Sequence, residues 1–175
     1  PSLTFPNHYT LVTGLYPSHH GLVGNYFYDR NRKESYSMKT GSIVKDGYWY
    51  GGTPLWVLAE KQHMLSASFY WVGSEANIKG IYPTYYYTYN EAIPNNRRIE
   101  IIKNWLQLPP EKRPHLITVY FPEVDHAGHR YGPDAPQTAL AVKQVDSAIG
   151  KLYEQVKNIG LPVNFILVSD HGMTK

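Results

Sequence analysis

The sequence predicts an α/β fold, a mostly parallel sheet with helices on both faces, and three observations predict it. Helical and strand patterns alternate along the chain, starting with a helix and finishing on a strand. The strand segments are nearly continuous apolar runs, the mark of strands covered on both faces. The residues able to carry chemistry fall just after strand ends, where open parallel sheets bind their ligands.

Each element has its own local cause. Pro6 and Gly14 bracket a short helix from Asn7 to about Leu15. Thr53 and Pro54 form a cap and first-turn pair that opens a helix reaching Gln62. Leu65 to Trp71 is rich in strand formers, and the Tyr-rich stretch from Tyr82 to Asn90 is the one local compositional bias. Ile99, Ile102, Trp105 and Leu106 recur at helical spacing within Asn95–Leu108. Pro114 and Pro122 bound a buried strand, His115–Phe121. From Ala135 to Lys157 a long amphipathic helix places Leu140, Val142, Val145, Ile149, Leu152 and Val156 on its apolar face. Phe165–Val168 reads as a buried strand leading into the polar loop Ser169–Lys175.

Composition excludes several classes of function. With 42% hydrophobic and 18% charged residues the chain can bury a core. Its apolar runs are too short to cross a bilayer. It has no cysteine, which removes disulfides, a thiol nucleophile and thiolate metal ligands. Seventeen Lys and Arg against fourteen Asp and Glu is too small an excess to imply a nucleic-acid partner. The chain opens on Pro1 without a charged-then-apolar leader, and it stops soon after a strand that aims Asp and His outward. It is therefore expected to be a piece of a longer protein.

Two acid–imidazole pairs carry the chemistry. Asp125 and His129 lie four residues apart, and Asp170 adjoins His171. Carboxylate with neutral imidazole is the zinc ligand set when no thiol is present. His126 competes with His129, but Gly128 reads as a turn that takes His126 off the shared face. His8, His19, His20, His63 and His115 have no carboxylate in a matching loop and read as structural or exposed. Ahead of the first helix, Ser2-Leu3-Thr4-Phe5-Pro6-Asn7 sets a hydroxyl among free N–H groups, where an anion is favoured.

Thr4-Phe5-Pro6-Asn7-His8-Tyr9, Thr13-Gly14-Leu15-Tyr16-Pro17, His20-Gly21 and Asn25 resemble the nucleotide pyrophosphatase/phosphodiesterase family of the alkaline phosphatase superfamily. So do Trp71-Val72-Gly73-Ser74-Glu75, Gly80-Ile81-Tyr82-Pro83, Tyr89-Asn90, Asp125, Gly128-His129, Tyr131-Gly132-Pro133 and Asp170-His171-Gly172-Met173. The resemblance implies an incomplete alkaline-phosphatase-like fold, with residues 1–175 a partial catalytic domain lacking an N-terminal strand and a C-terminal part. It implies two Zn2+ ions, one held by Asp125 and His129 and the other by Asp170 and His171, with Thr4 as nucleophile and metal residue, bridging or lying beside both. A ligand Asp upstream and a ligand His downstream are expected outside the chain, so the isolated 175 residues are expected to bind zinc poorly and turn over little. Asn25 and the Phe5 N–H are implied donors to a phosphate oxygen. Phe5 and Tyr89 are the implied walls of a nucleobase slot, with Trp71, Glu75 and Tyr120 lining it; Glu75 stands where family members carry Asp. The implied reaction is zinc-dependent hydrolysis of phosphodiester or pyrophosphate bonds in nucleotides through a phospho-threonine, in the periplasm or outside the cell. The alternatives are a phosphodiesterase for choline-type lipid head groups, a sibling phosphomonoesterase, a non-catalytic remnant and an aromatic-rich binding module.

Overall fold

The computed structural model describes residues 2–175, which divide into two compact units. The first holds the chain up to Tyr89 together with Pro114–Val119 and Ser169–Gly172. The second holds Asn90–Arg113, Tyr120–Val168 and Met173–Lys175.

In the first unit, helix α1 spans Thr4–Thr13, starting three residues earlier than its sequence pattern indicates. Leu3 caps it without a side-chain bond, so no polar cap advertises the start, while Gly14 closes it in the left-handed region at φ 68°. The short helix α2 (Pro17–His20) leads to a hairpin, β1 (Tyr26–Asp29) antiparallel to β2 (Glu34–Ser37). Asp29 Oδ1 accepts the Asn31 and Arg32 N–H groups in its turn, and Arg32 bridges to Glu34 at 2.5 Å and Asp46 at 2.6 Å. After the short helix α3 (Gly41–Val44) and a 3₁₀ turn at Gly47–Trp49 comes α4 (Leu55–Lys61). Tyr9, Tyr36, Trp49, Tyr50 and Trp56 build an aromatic core with Leu22 and Ile78. Burial pushes the Tyr9, Tyr36 and Tyr50 phenols up, so all three stay protonated.

The sheet of this unit is parallel, as expected, in the order β4 (Tyr85–Tyr87), β3 (Ser66–Phe69), β5 (Leu116–Val119). Central β3 is buried along its whole length, and Thr118 Oγ1 donates to Ser68 Oγ across the β3–β5 pair at 2.9 Å. A parallel sheet carrying α4 against its central strand is unlike the β-rich architecture that a carbohydrate-type binding module would require.

One carboxylate stitches this region together. Glu60 Oε1, on α4, accepts the N–H and hydroxyl of Ser66 at 2.7 Å each and those of Thr84 at 2.9 and 2.8 Å. Burial alone would push the Glu60 carboxyl up, but these four donors outweigh it and hold the group below its usual value of 4.5. The ionised form is thus favoured by folding. Its contribution is complete above about pH 4.5 and is lost as pH falls through the lower folded value. Glu60→Ala is expected to cost about 2 kcal/mol at pH 7 by orphaning those donors. The difference between wild type and variant should shrink below pH 4.5, as urea melts at several pH values will register.

The second unit is helical: α5 (Asn95–Leu106), α6 (Glu123–Tyr131) and α7 (Pro136–Ile159). Pro136 at the start of α7 and left-handed Gly160 at its end set its limits. Leu152 and Val156 are buried and Val145 and Ile149 half-buried, as the apolar spacing indicates, but the pattern breaks down in the first half of the helix. Leu140 and Val142 are exposed, whereas Ala141 and Ala148 go inside, because small side chains let α5 and α6 approach closely.

Two further expectations fail. The Asp125–His129 segment is helix α6 rather than a loop, with Gly128 in its interior. Phe165–Val168 forms no strand, and Ile166 is 86% exposed. An apolar run becomes a strand only when a neighbouring backbone pairs with it, and among the described residues no ladder forms there.

Candidate active site

Thr4 is the first residue of α1. The N–H groups of a helix's first turn lack partners within the helix, and Pro6 has none to offer. The Phe5 N–H donates instead to Asn25 Oδ1 at 3.0 Å. Asn25 sits at the foot of the β1–β2 hairpin, where its own carbonyl accepts the Met38 N–H at 3.0 Å. With Oδ1 engaged, the donor that Asn25 has left for a ligand is its Nδ2 amide. Phe5 and Asn25 are therefore brought together, as donor and acceptor of one bond.

The far end of the chain returns to the same helix. His171 Nε2 lies 3.2 Å from Thr4 Oγ1 and 3.2 Å from Asp170 Oδ2. His171 Nδ1 is 3.0 Å from the Gly172 carbonyl, which can only accept, so Nδ1 carries a proton, and Nε2 is the nitrogen turned to Thr4 and Asp170. A hydroxyl oxygen, a carboxylate oxygen and an imidazole nitrogen, with no thiolate, form a donor set suited to zinc.

Two residues that the sequence reading gave no role in the site complete this corner. Asn7 Nδ2 donates to the Asp170 carbonyl, and His8 Nδ1 stands 3.3 Å from Asp170 Oδ2. His8, read above as structural or exposed, is only 4% exposed and turns toward the carboxylate. The one available signal was its place four residues after Thr4, on the same helix face.

In the second unit, Asp125 and His129 face each other along α6 at 3.4 Å (Asp125 Oδ1 to His129 Nε2), the reach of an i, i+4 pair. His126 pairs instead with Glu91, at 3.7 Å, and no glycine turn separates it from His129, since both lie on α6. Among the described residues no three or more His, Asp or Glu side chains gather as a cage for a metal. The ligand-type residues come as pairs, one in each unit.

The aromatic candidates are more dispersed. Phe5 meets Tyr36 edge-on at 6.2 Å, and Tyr89 meets Tyr70 at 5.2 Å. Trp71 sits edge-on to His8 at 5.2 Å and donates its indole N–H to the His8 carbonyl at 3.0 Å. Glu75 accepts the Tyr89 backbone N–H at 2.8 Å, so it fixes the segment that presents that ring. Tyr120 follows β5 and belongs to the second unit.

Human ectonucleotide pyrophosphatase/phosphodiesterase family member 1 is 43% identical over 175 residues, 99% of this chain and 19% of that protein. Venom phosphodiesterase 2 of Crotalus adamanteus is 42% identical over 99% of this chain and 22% of its own length. The chain spans about a fifth of these curated relatives. Among solved structures, murine ectonucleotide pyrophosphatase/phosphodiesterase 5, an inactive threonine-to-alanine variant in complex with AMP, superposes with a TM-score of 0.82 at 33% identity. That match covers 90% of this chain and 41% of the murine one. The model of the type I phosphodiesterase/nucleotide pyrophosphatase family matches residues 1–175, and the chain belongs to that family.

Proposed function

We propose that the full-length protein containing this chain hydrolyses phosphodiester and pyrophosphate bonds in nucleotides, with Thr4 as nucleophile. The observation that carries this reading is the Thr4 hydroxyl at the start of α1, 3.2 Å from His171 Nε2, with the next residue's N–H bonded to Asn25 Oδ1. Thr4 Oγ1 bonds to phosphorus as the bond to the leaving group breaks; the hydroxyl's proton passes through solvent to the departing oxygen, the leaving group diffuses away, and a phospho-threonine ester remains. Water then cleaves that ester, freeing a nucleoside monophosphate and restoring Thr4. The Asn25 amide donates to a phosphoryl oxygen as negative charge grows there, an interaction worth about 3 kcal/mol when preorganised.

Asp170 with His171 would hold one zinc ion and Asp125 with His129 another. Bound zinc would supply positive charge that acidifies a hydroxyl and neutralises phosphoryl oxygens. Phe5 and Tyr89 offer faces on which a base can stack, which favours nucleotides without strong selection among bases. The relatives named as ectonucleotide and venom enzymes support a location outside the cell.

The test uses the full-length protein and a nucleotide p-nitrophenyl ester. Hydrolysis should fall to background after dialysis against a chelator and return with added zinc, while p-nitrophenylphosphocholine should be a poor substrate. Unchanged turnover after metal removal ends the zinc reading, and preference for the choline ester ends the nucleotide reading.

A further inference from the structure

We propose that His8 is a positioning residue that aims the Asp170 carboxylate at its metal, a role that rests on the zinc reading above. His8 Nδ1 is 2.8 Å from the Thr4 carbonyl and 3.3 Å from Asp170 Oδ2. The carbonyl can only accept, so Nδ1 carries a proton and shares it between the two oxygens. The oxygen it meets, Oδ2, is the one that lies 3.2 Å from His171 Nε2. A carboxylate without such a donor rotates about its last bond, because that terminal torsion is broad.

The arrangement around His8 leaves it little freedom. Its ring is held edge-on by Trp71, whose indole N–H in turn takes the His8 carbonyl. The adjacent Asn7 grips the Asp170 main chain through its carbonyl. One turn of α1 therefore fixes both the backbone and the side chain of Asp170, and the same turn begins with Thr4. Donors that orient ligand carboxylates in this way typically matter 10- to 100-fold for metal affinity, by about that factor when removed.

The experiment compares full-length wild type with His8→Ala, His8→Asn and Asp170→Ala. Zinc affinity is measured by competition with a chromophoric chelator, kcat and KM at saturating zinc, and the melting midpoint of the zinc-free protein. Asparagine can place an N–H near the position of Nδ1, whereas alanine cannot. The expected result is a roughly 10- to 100-fold loss of zinc affinity in His8→Ala, substantial recovery in His8→Asn, and a fall in kcat with little change in KM. Zinc affinity in His8→Ala equal to wild type, with Asp170→Ala impaired, overturns the proposal and leaves the zinc reading standing. Loss of affinity in both His8 variants in step with a lowered melting midpoint also overturns it, because His8 is then only a packing residue. Wild-type zinc affinity in Asp170→Ala fells the zinc reading itself.

Discussion

Thr4→Ala in the full-length protein is expected to abolish nucleotide hydrolysis while zinc content stays at the wild-type level. The structure makes this an unusually clean deletion. Thr4 opens α1, and its neighbour Leu3 caps that helix without a side-chain bond, so no cap is lost. Alanine is the best helix former. The hydrogen bond removed is the hydroxyl's bond to His171 Nε2 at 3.2 Å, worth about 1 kcal/mol. Loss of an attacking group costs far more in rate, on the order of 10⁴-fold or greater, because no other group takes over the attack. Steady-state kinetics with metal analysis of the same preparation checks both halves. Serine at position 4 keeps an oxygen and should retain measurable turnover. A Thr4→Ala protein working near the wild-type rate would dismiss Thr4 as nucleophile.

The largest effect on stability is expected at a residue remote from the chemistry. A Cβ on Gly47 would lie 1.9 Å from the Asn77 carbonyl oxygen and 2.7 Å from its carbon. Both are main-chain atoms, and Ile78, the next residue, is fully buried in the aromatic core. No rotamer change relieves that overlap. Either the 3₁₀ turn or the Asn77–Ile78 backbone must move, which places Gly47→Ala at about 3 kcal/mol or beyond, the upper range for overpacking. For a chain of this size that is roughly 6–12 °C in the melting midpoint. Gly150→Ala is the control: its Cβ meets nothing within 4 Å, and it lies inside α7, where alanine is favoured by about 1 kcal/mol. Equal melting midpoints for Gly47→Ala and wild type would show that the contact yields easily.

Much of this was legible in the residues themselves. β3 could be read because it lies in a stretch rich in strand formers, β5 because it is a short apolar run bounded by prolines, and α5 and α7 because helical spacing persists over several turns. α6 was hidden because Pro122 and Gly128 look like breakers. Pro122 stands at the cap, where a missing N–H costs nothing, and the space a Cβ on Gly128 would fill is taken by Met173 Sδ, 2.6 Å from that point. β4 is three tyrosines long at a sheet edge, too brief for any period to show. The acid–imidazole pairs were visible because close spacing in sequence sets each of them. His8 was not, since its carboxylate partner lies at the opposite end of the chain.

That last contact has a practical side. The Thr4–His8 turn and the Ser169–Gly172 segment touch through bonds spanning 163 and 167 positions. Anyone grafting this corner onto another scaffold would have to carry both pieces and their mutual alignment. A hybrid that swaps either piece alone would inherit a hydroxyl or a carboxylate with nothing to steer it.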